Sequence, residues 1–186
     1  MTILSRCSVS ALLLLLLPLY FSATAGKAQS THGGKIETTY DGFTQETIVS
    51  LRKMRISCDG IKSTFKNACV SVSVSLHCPG VQASKVNNVS MQLMFETSAW
   101  DQRHALDQRR LIVVANNETL RVGQMKLINQ AVNDSMTETL GIEFPYQTFK
   151  KMADAQFVEM QVGPTRFMLR NKNLDAFRDL DGRIVK

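Results

Sequence analysis

Apolar and polar residues alternate along most of this chain. Val70, Val72, Val74 and Leu76 are apolar, and Ser71, Ser73, Ser75 and His77 between them are polar. A period of two marks a half-buried antiparallel strand, with one face on a core and one in water. Pro79-Gly80 ends this strand. The same period recurs in Val89, Met91, Leu93 and Phe95, in Leu111, Val113 and Ala115, and in Leu120 and Val122. It returns in Leu140, Ile142 and Phe144, in Val158, Met160 and Val162, and in Phe167 and Leu169. Upstream, Val49 and Leu51 share one parity, whereas Met54, Ile56 and Cys58 take the other. A shift of one position inside a strand-like run predicts a bulge. Asn116-Asn117 tolerates the positive φ of a tight hairpin, and Gly163-Pro164 turns the chain again. Residues 124–130 read as an extension of the strand after Asn117, and residues 59–68 and 131–137 read as loops.

The period changes after Pro145. Tyr146, Phe149, Met152 and Ala153 recur at three- and four-residue spacing, which predicts a helix over 146–154 with Pro145 in its first turn. Asn173 is suited to cap a second helix over 174–181, with Leu174, Phe177 and Leu180 on one face and Gly182 as the stop. The links are too short for repeated helical crossovers, so the expected fold is α+β and predominantly antiparallel β: a sheet or sandwich of about seven or eight strands with two short C-terminal helices.

Residues 1–25 break the pattern. Arg6 is the lone charge, the run from Val9 to Phe21 is apolar, and Ala23-Thr24-Ala25 offers small residues for a peptidase. This reads as a signal peptide. The leucine-rich run is too short for the roughly 20 apolar residues of a membrane span, and Pro18 interrupts it. Polar residues 26–42 read as a flexible lead-in, and residues 43–186 as a single β-rich domain. The expected location is therefore periplasmic or secreted, with no stable membrane span after cleavage.

Composition narrows the classes. With 44% hydrophobic residues, 22 basic and 16 acidic side chains, the chain is globular rather than disordered or polytopic. The formal charge of +6 favours contact with an anionic envelope polymer or another envelope protein. Arg109, Arg110, Arg166 and Arg170 are the expected contacts; Arg166 and Arg170 share the parity opposite Phe167 and Leu169. Export and an aromatic content of 7% argue against nucleic acid.

Candidate chemistry is sparse. His32, His77 and His104 fall in no HExxH or CxxC spacing, so no metal or cofactor is expected. No GxSxG elbow occurs. The segment Trp100-Asp101-Gln102-Arg103-His104 is the densest polar and aromatic mixture, and Trp100, Asp101 and His104 form the alternative loop site of a small hydrolase. Glu138, Glu143, Glu159, Asp175, Asp179 and Asp181 read as residues of exposed faces. Asn88, Asn117 and Asn133 open N-x-S/T triplets, which read as chance matches outside a eukaryotic secretory pathway.

Cys58, Cys69 and Cys78 follow the leader. Cys69 and Cys78 sit nine positions apart in one strand, about 30 Å at roughly 3.3 Å per residue, so an intrachain bridge must use Cys58. Facing favours Cys78 as partner, whereas hairpin pairing of the flanking strands favours Cys69, and Cys58–Cys69 is the expected bridge.

The segment Val158-Glu159-Met160-Gln161-Val162-Gly163-Pro164, the returning Thr165-Arg166-Phe167-Met168-Leu169 and the helix Leu174 to Leu180 follow an opening Phe43-Thr44-Gln45-Glu46-Thr47. Together they resemble uncharacterised exported bacterial proteins of about this size. The resemblance implies an envelope or secreted location and brings no catalytic residues. The leading expectation is an exported, non-catalytic β-rich domain that binds an envelope partner or anionic ligand. A secreted hydrolase and a structural subunit of an envelope assembly are the alternatives.

Overall fold

The computed structural model describes residues 32–58, 69–98, 104–132 and 136–185. The expected signal peptide, the 59–68 loop, and Trp100 and Asp101 lie outside the described residues. The expected architecture is present: antiparallel strands in two sheets, with two short helices in the C-terminal third. The larger sheet has six strands, in the order β1 (Ile36–Asp41), β2 (Glu46–Ser57), β3 (Cys69–Pro79), β4 (Asn88–Thr97), β8 (Met136–Phe144) and β7 (Lys126–Val132). The smaller has four, in the order β10 (Thr165–Leu169), β9 (Val158–Val162), β5 (Arg110–Ala115) and β6 (Glu118–Gln124).

The alternating rows become the core. Val70, Val72, Val74 and Leu76 of β3, Val89, Met91, Leu93 and Phe95 of β4, and Val158, Met160 and Val162 of β9 belong to one buried cluster. Phe95 of the larger sheet meets Phe167 of the smaller edge-on, with ring centroids 6.4 Å apart. The parity change in β2 appears as a register shift against β3 between Leu51 and Met54. Asn116 and Asn117 take φ of 46° and 70°, as the tight link between β5 and β6 requires. Gly163 has φ 52°, and a Cβ there would stand 2.8 Å from the Gln108 carbonyl oxygen, so both backbone and space demand glycine.

Helix α1 (Tyr146–Asp154) has the expected bounds, with Pro145 just before its first residue. Helix α2 (Asn171–Gly182) starts three residues earlier than its expected start at Leu174. Arg170 occupies the cap position, and Asn173, inside the first turn, accepts the Arg170 backbone N–H at 2.9 Å. The two helices pack through Phe149 and Phe177, whose ring centroids are 5.4 Å apart.

Two strands depart from the sequence reading. Residues Ile36–Asp41, expected within the flexible lead-in, form β1 and pair with β2. This edge strand has no fully buried residue, so it carries no apolar alternation to betray it. Residues 124–130 do not prolong β6. The strand ends at Gln124, Met125 is buried, and the chain crosses to the other sheet as β7.

A disulfide joins Cys58 to Cys69, tying the end of β2 to the start of β3. Cys78 is a free, fully buried thiol on the core face. Burial, and secondarily the charge of Glu46, raises its pKa. Among the described residues, no helix is long and apolar enough to cross a membrane.

Candidate functional site

Charge concentrates in two places of opposite character. The first lies between the sheets. His104 follows the 100–103 segment, and its imidazole is fully buried against the ring of Phe95, with centroids 4.5 Å apart. Its Nδ1–H donates to Glu138 Oε2 at 2.7 Å, and its backbone N–H reaches the same oxygen at 3.0 Å. Because the acceptor is a carboxylate, Nδ1 carries a proton whatever the charge of the ring. Nε2 stands 3.2 Å from Thr165 Oγ1. Arg109 donates from Nε to the His104 carbonyl oxygen at 3.1 Å and places its guanidinium 3.4 Å from Glu138 Oε1.

Burial pushes the Glu138 carboxyl up, but the hydrogen bonds from the His104 side chain and backbone, with the charges of His104 and Arg109, outweigh it and hold the carboxyl below its ordinary range. Carboxylate, imidazole and hydroxyl thus stand in the bonding order of a hydrolytic relay. The Thr165 hydroxyl end has 0% exposure, however, and Thr165 lines neither the cleft beside Arg170 nor the depression beside His77. The cluster fastens the start of β5, through Arg109, to β8 and β10.

Glu138 therefore corrects the reading of an exposed face: it is 1% exposed. It shares parity with Leu140, Ile142 and Phe144, so the alternation itself pointed inward. Arg109 also corrects its expected role, because its guanidinium is committed to Glu138 and the His104 carbonyl. Arg110, the next residue, is exposed at the start of β5. Arg109 closes the turn before β5 and Arg110 opens the strand, and the two side chains part there.

The second place is a cleft of about 720 Å³ where the ends of β2 and β10 approach the start of α2. Arg55, Arg170 and Lys172 bring positive charge to it, and Ile56, Phe157 and Met168 bring apolar surface. Among the described residues, no carboxylate lines it. Arg55 is 3.1 Å from Glu96 Oε2, outside the cleft lining. Among the described residues, no ion pair engages Arg170 or Lys172. Of the expected contacts, Arg170 lies in this cleft. Arg166 is exposed as its parity required, but its charge is shared with Glu159 at 3.2 Å. Arg55, Phe157, Met168 and Lys172 went unrecognised as members of one site, since their stretches meet only through the packing of two sheets.

A third depression, of about 470 Å³, lies on the solvent face of the larger sheet. His77 Nε2 and Ser90 Oγ stand 3.1 Å apart there, beside Gln92, Gln124, Lys126 and Glu143. Its positive and negative side chains balance. Among the described residues, no group of three His, Cys, Asp or Glu side chains is placed to hold a metal ion.

No protein-family model matches the chain, and neither does any curated protein or solved structure.

Proposed function

We propose that this protein is an exported, non-catalytic binding domain that receives an anionic ligand or partner in the cleft between β2, β10 and α2. One observation carries the reading: three cationic side chains and a partly apolar floor converge there, and among the described residues no carboxylate lines the surface. Arg55 shares its charge with Glu96, so Arg170 and Lys172 supply the field, which a low-dielectric wall focuses on an arriving anion. The N-terminal leader pattern supports export, and the Cys58–Cys69 disulfide fits an oxidising compartment.

The test is binding of fluorescently labelled dextran sulfate, a polyanion, at low and at physiological salt. The paired substitution Arg170→Glu and Lys172→Glu is expected to weaken binding at least about tenfold and to flatten its salt dependence. Arg166→Glu, whose charge is already met by Glu159, is expected to leave affinity within about twofold. Equal affinity of the wild-type protein and the cleft double variant would remove the proposal.

A further inference from the structure

Two strand edges that have no partner strand among the described residues border the cleft. β10 ends the smaller sheet and pairs only with β9 among the described residues. β2 pairs with β1 as far as Leu51, and the Arg52 N–H then donates to the Lys35 carbonyl oxygen at 2.8 Å. Beyond that point, among the described residues, the β1 side of β2 has no strand beside it. Met54, Arg55 and Ile56 from this free stretch, and Met168 and Leu169 from the free edge of β10, line the same cleft.

The phase of β10 follows from its hairpin. Val162 and Thr165 flank the two-residue link Gly163-Pro164 and close the ladder as a hydrogen-bonded pair. Thr165, Phe167 and Leu169 therefore turn their N–H groups toward β9. Arg166 and Met168 turn theirs to the free edge. An edge of this kind is a template for another strand. Proteins blunt such edges with Pro or several Lys; β10, Thr165-Arg166-Phe167-Met168-Leu169, carries one charge and no Pro.

We infer that the occupant of the cleft is an extended acidic peptide segment of a partner protein, added as a strand along the edge of β10. This rests on the cleft reading above and names the ligand class for it. Main-chain pairing supplies affinity in strand addition, and side-chain pockets supply selection. Here Arg170, Lys172 and Arg55 select carboxylates, while Phe157, Met168 and Ile56 accept the apolar residues between them. Charge excludes the nearest alternatives. The chain's own residues 26–31 contain Lys27 and no acid, and a second copy of β10 would bring Arg166 against the same cations.

The experiment uses an eight-residue capped peptide alternating Glu and Val, its Lys and Val counterpart, and inorganic polyphosphate, an anion with no amide groups. The acidic peptide is expected to bind the full chain, and the basic peptide is not. On binding, hydrogen exchange at the Arg166 and Met168 amides is expected to slow at least about tenfold, with no such slowing under polyphosphate. Met168→Pro removes an edge N–H without touching the β9 ladder. It is expected to abolish peptide binding and to keep polyphosphate binding.

If peptide and polyphosphate bind alike and those amides stay unprotected, strand addition is wrong and the anion-binding reading stands. If neither anion binds, both fall. Should Met168→Pro fail to fold, as judged by circular dichroism, the exchange measurement on the wild-type chain decides alone.

Discussion

The His104–Glu138–Arg109 cluster and the β2–β10 cleft use similar side chains to opposite ends. In the cluster, the carboxylate meets both a histidine and an arginine, the imidazole and carboxylate are sealed from water, and the charges cancel within a few ångströms. In the cleft, Arg170 and Lys172 have no ion-pair partner among the described residues, and their side chains keep access to solvent. A compensated buried charge can hold elements in register, but it cannot answer to a ligand. An uncompensated charge at the surface adds little to the fold and leaves its field for something arriving from outside. Arg109 and Arg170 are both Arg residues beside β-strands, and their surroundings separate a brace from a contact.

The largest expected effect breaks the first half of this contrast. Glu138→Ala leaves Arg109 without its counter-charge and the buried His104 Nδ1–H without its acceptor, and is expected to lower stability by about 3–5 kcal/mol, read from urea unfolding. Acid titration sharpens the same point. The folded state holds the Glu138 carboxyl below its ordinary value of 4.5, so the folded chain binds fewer protons there than the unfolded chain. Its contribution is fully present above pH 4.5 and is lost as the pH falls through the lower folded-state value. Glu138→Gln is expected to flatten that part of the stability profile; an unaltered acid limb would show that the carboxylate is not the group responsible.

In the cleft, effects move to affinity. Arg170→Glu with Lys172→Glu is expected to leave urea unfolding within about 0.5 kcal/mol while polyanion binding drops tenfold or more, a change of about 1.4 kcal/mol. The smallest effect belongs to Arg110. It lies outside both regions, and Arg110→Ala is expected to shift stability by less than about 0.5 kcal/mol and to leave binding unchanged.

The sheet itself was legible because burial on one face imposes alternation. The β2 bulge, the Asn116-Asn117 turn and the Pro145 helix start each leave a local trace in residue type. β1 left none, since an edge strand with no fully buried residue needs no apolar row. The crossing at Met125 was hidden for a different reason: a strand that changes sheets keeps its period, and only tertiary packing decides which neighbour it joins. The arginines divided similarly. Parity correctly placed Arg166 and Arg170 in solvent, but nothing local reveals that Arg109 meets Glu138, since their elements lie on different sheets and meet only through packing. The cleft draws on β2, β10 and α2, and no pattern in one stretch of chain reports on the other two.

The sealed sulfur of Cys78 has a consequence for the lifetime of the Cys58–Cys69 bond. Exchange requires an ionised thiol that can reach the bridge, and this one is held protonated nine positions further along the same strand. Scrambled pairings are thereby confined to chains whose strands have not yet zipped together. Once the sheet closes, burial of Cys78 removes the one internal thiol among the described residues that could displace the bridge.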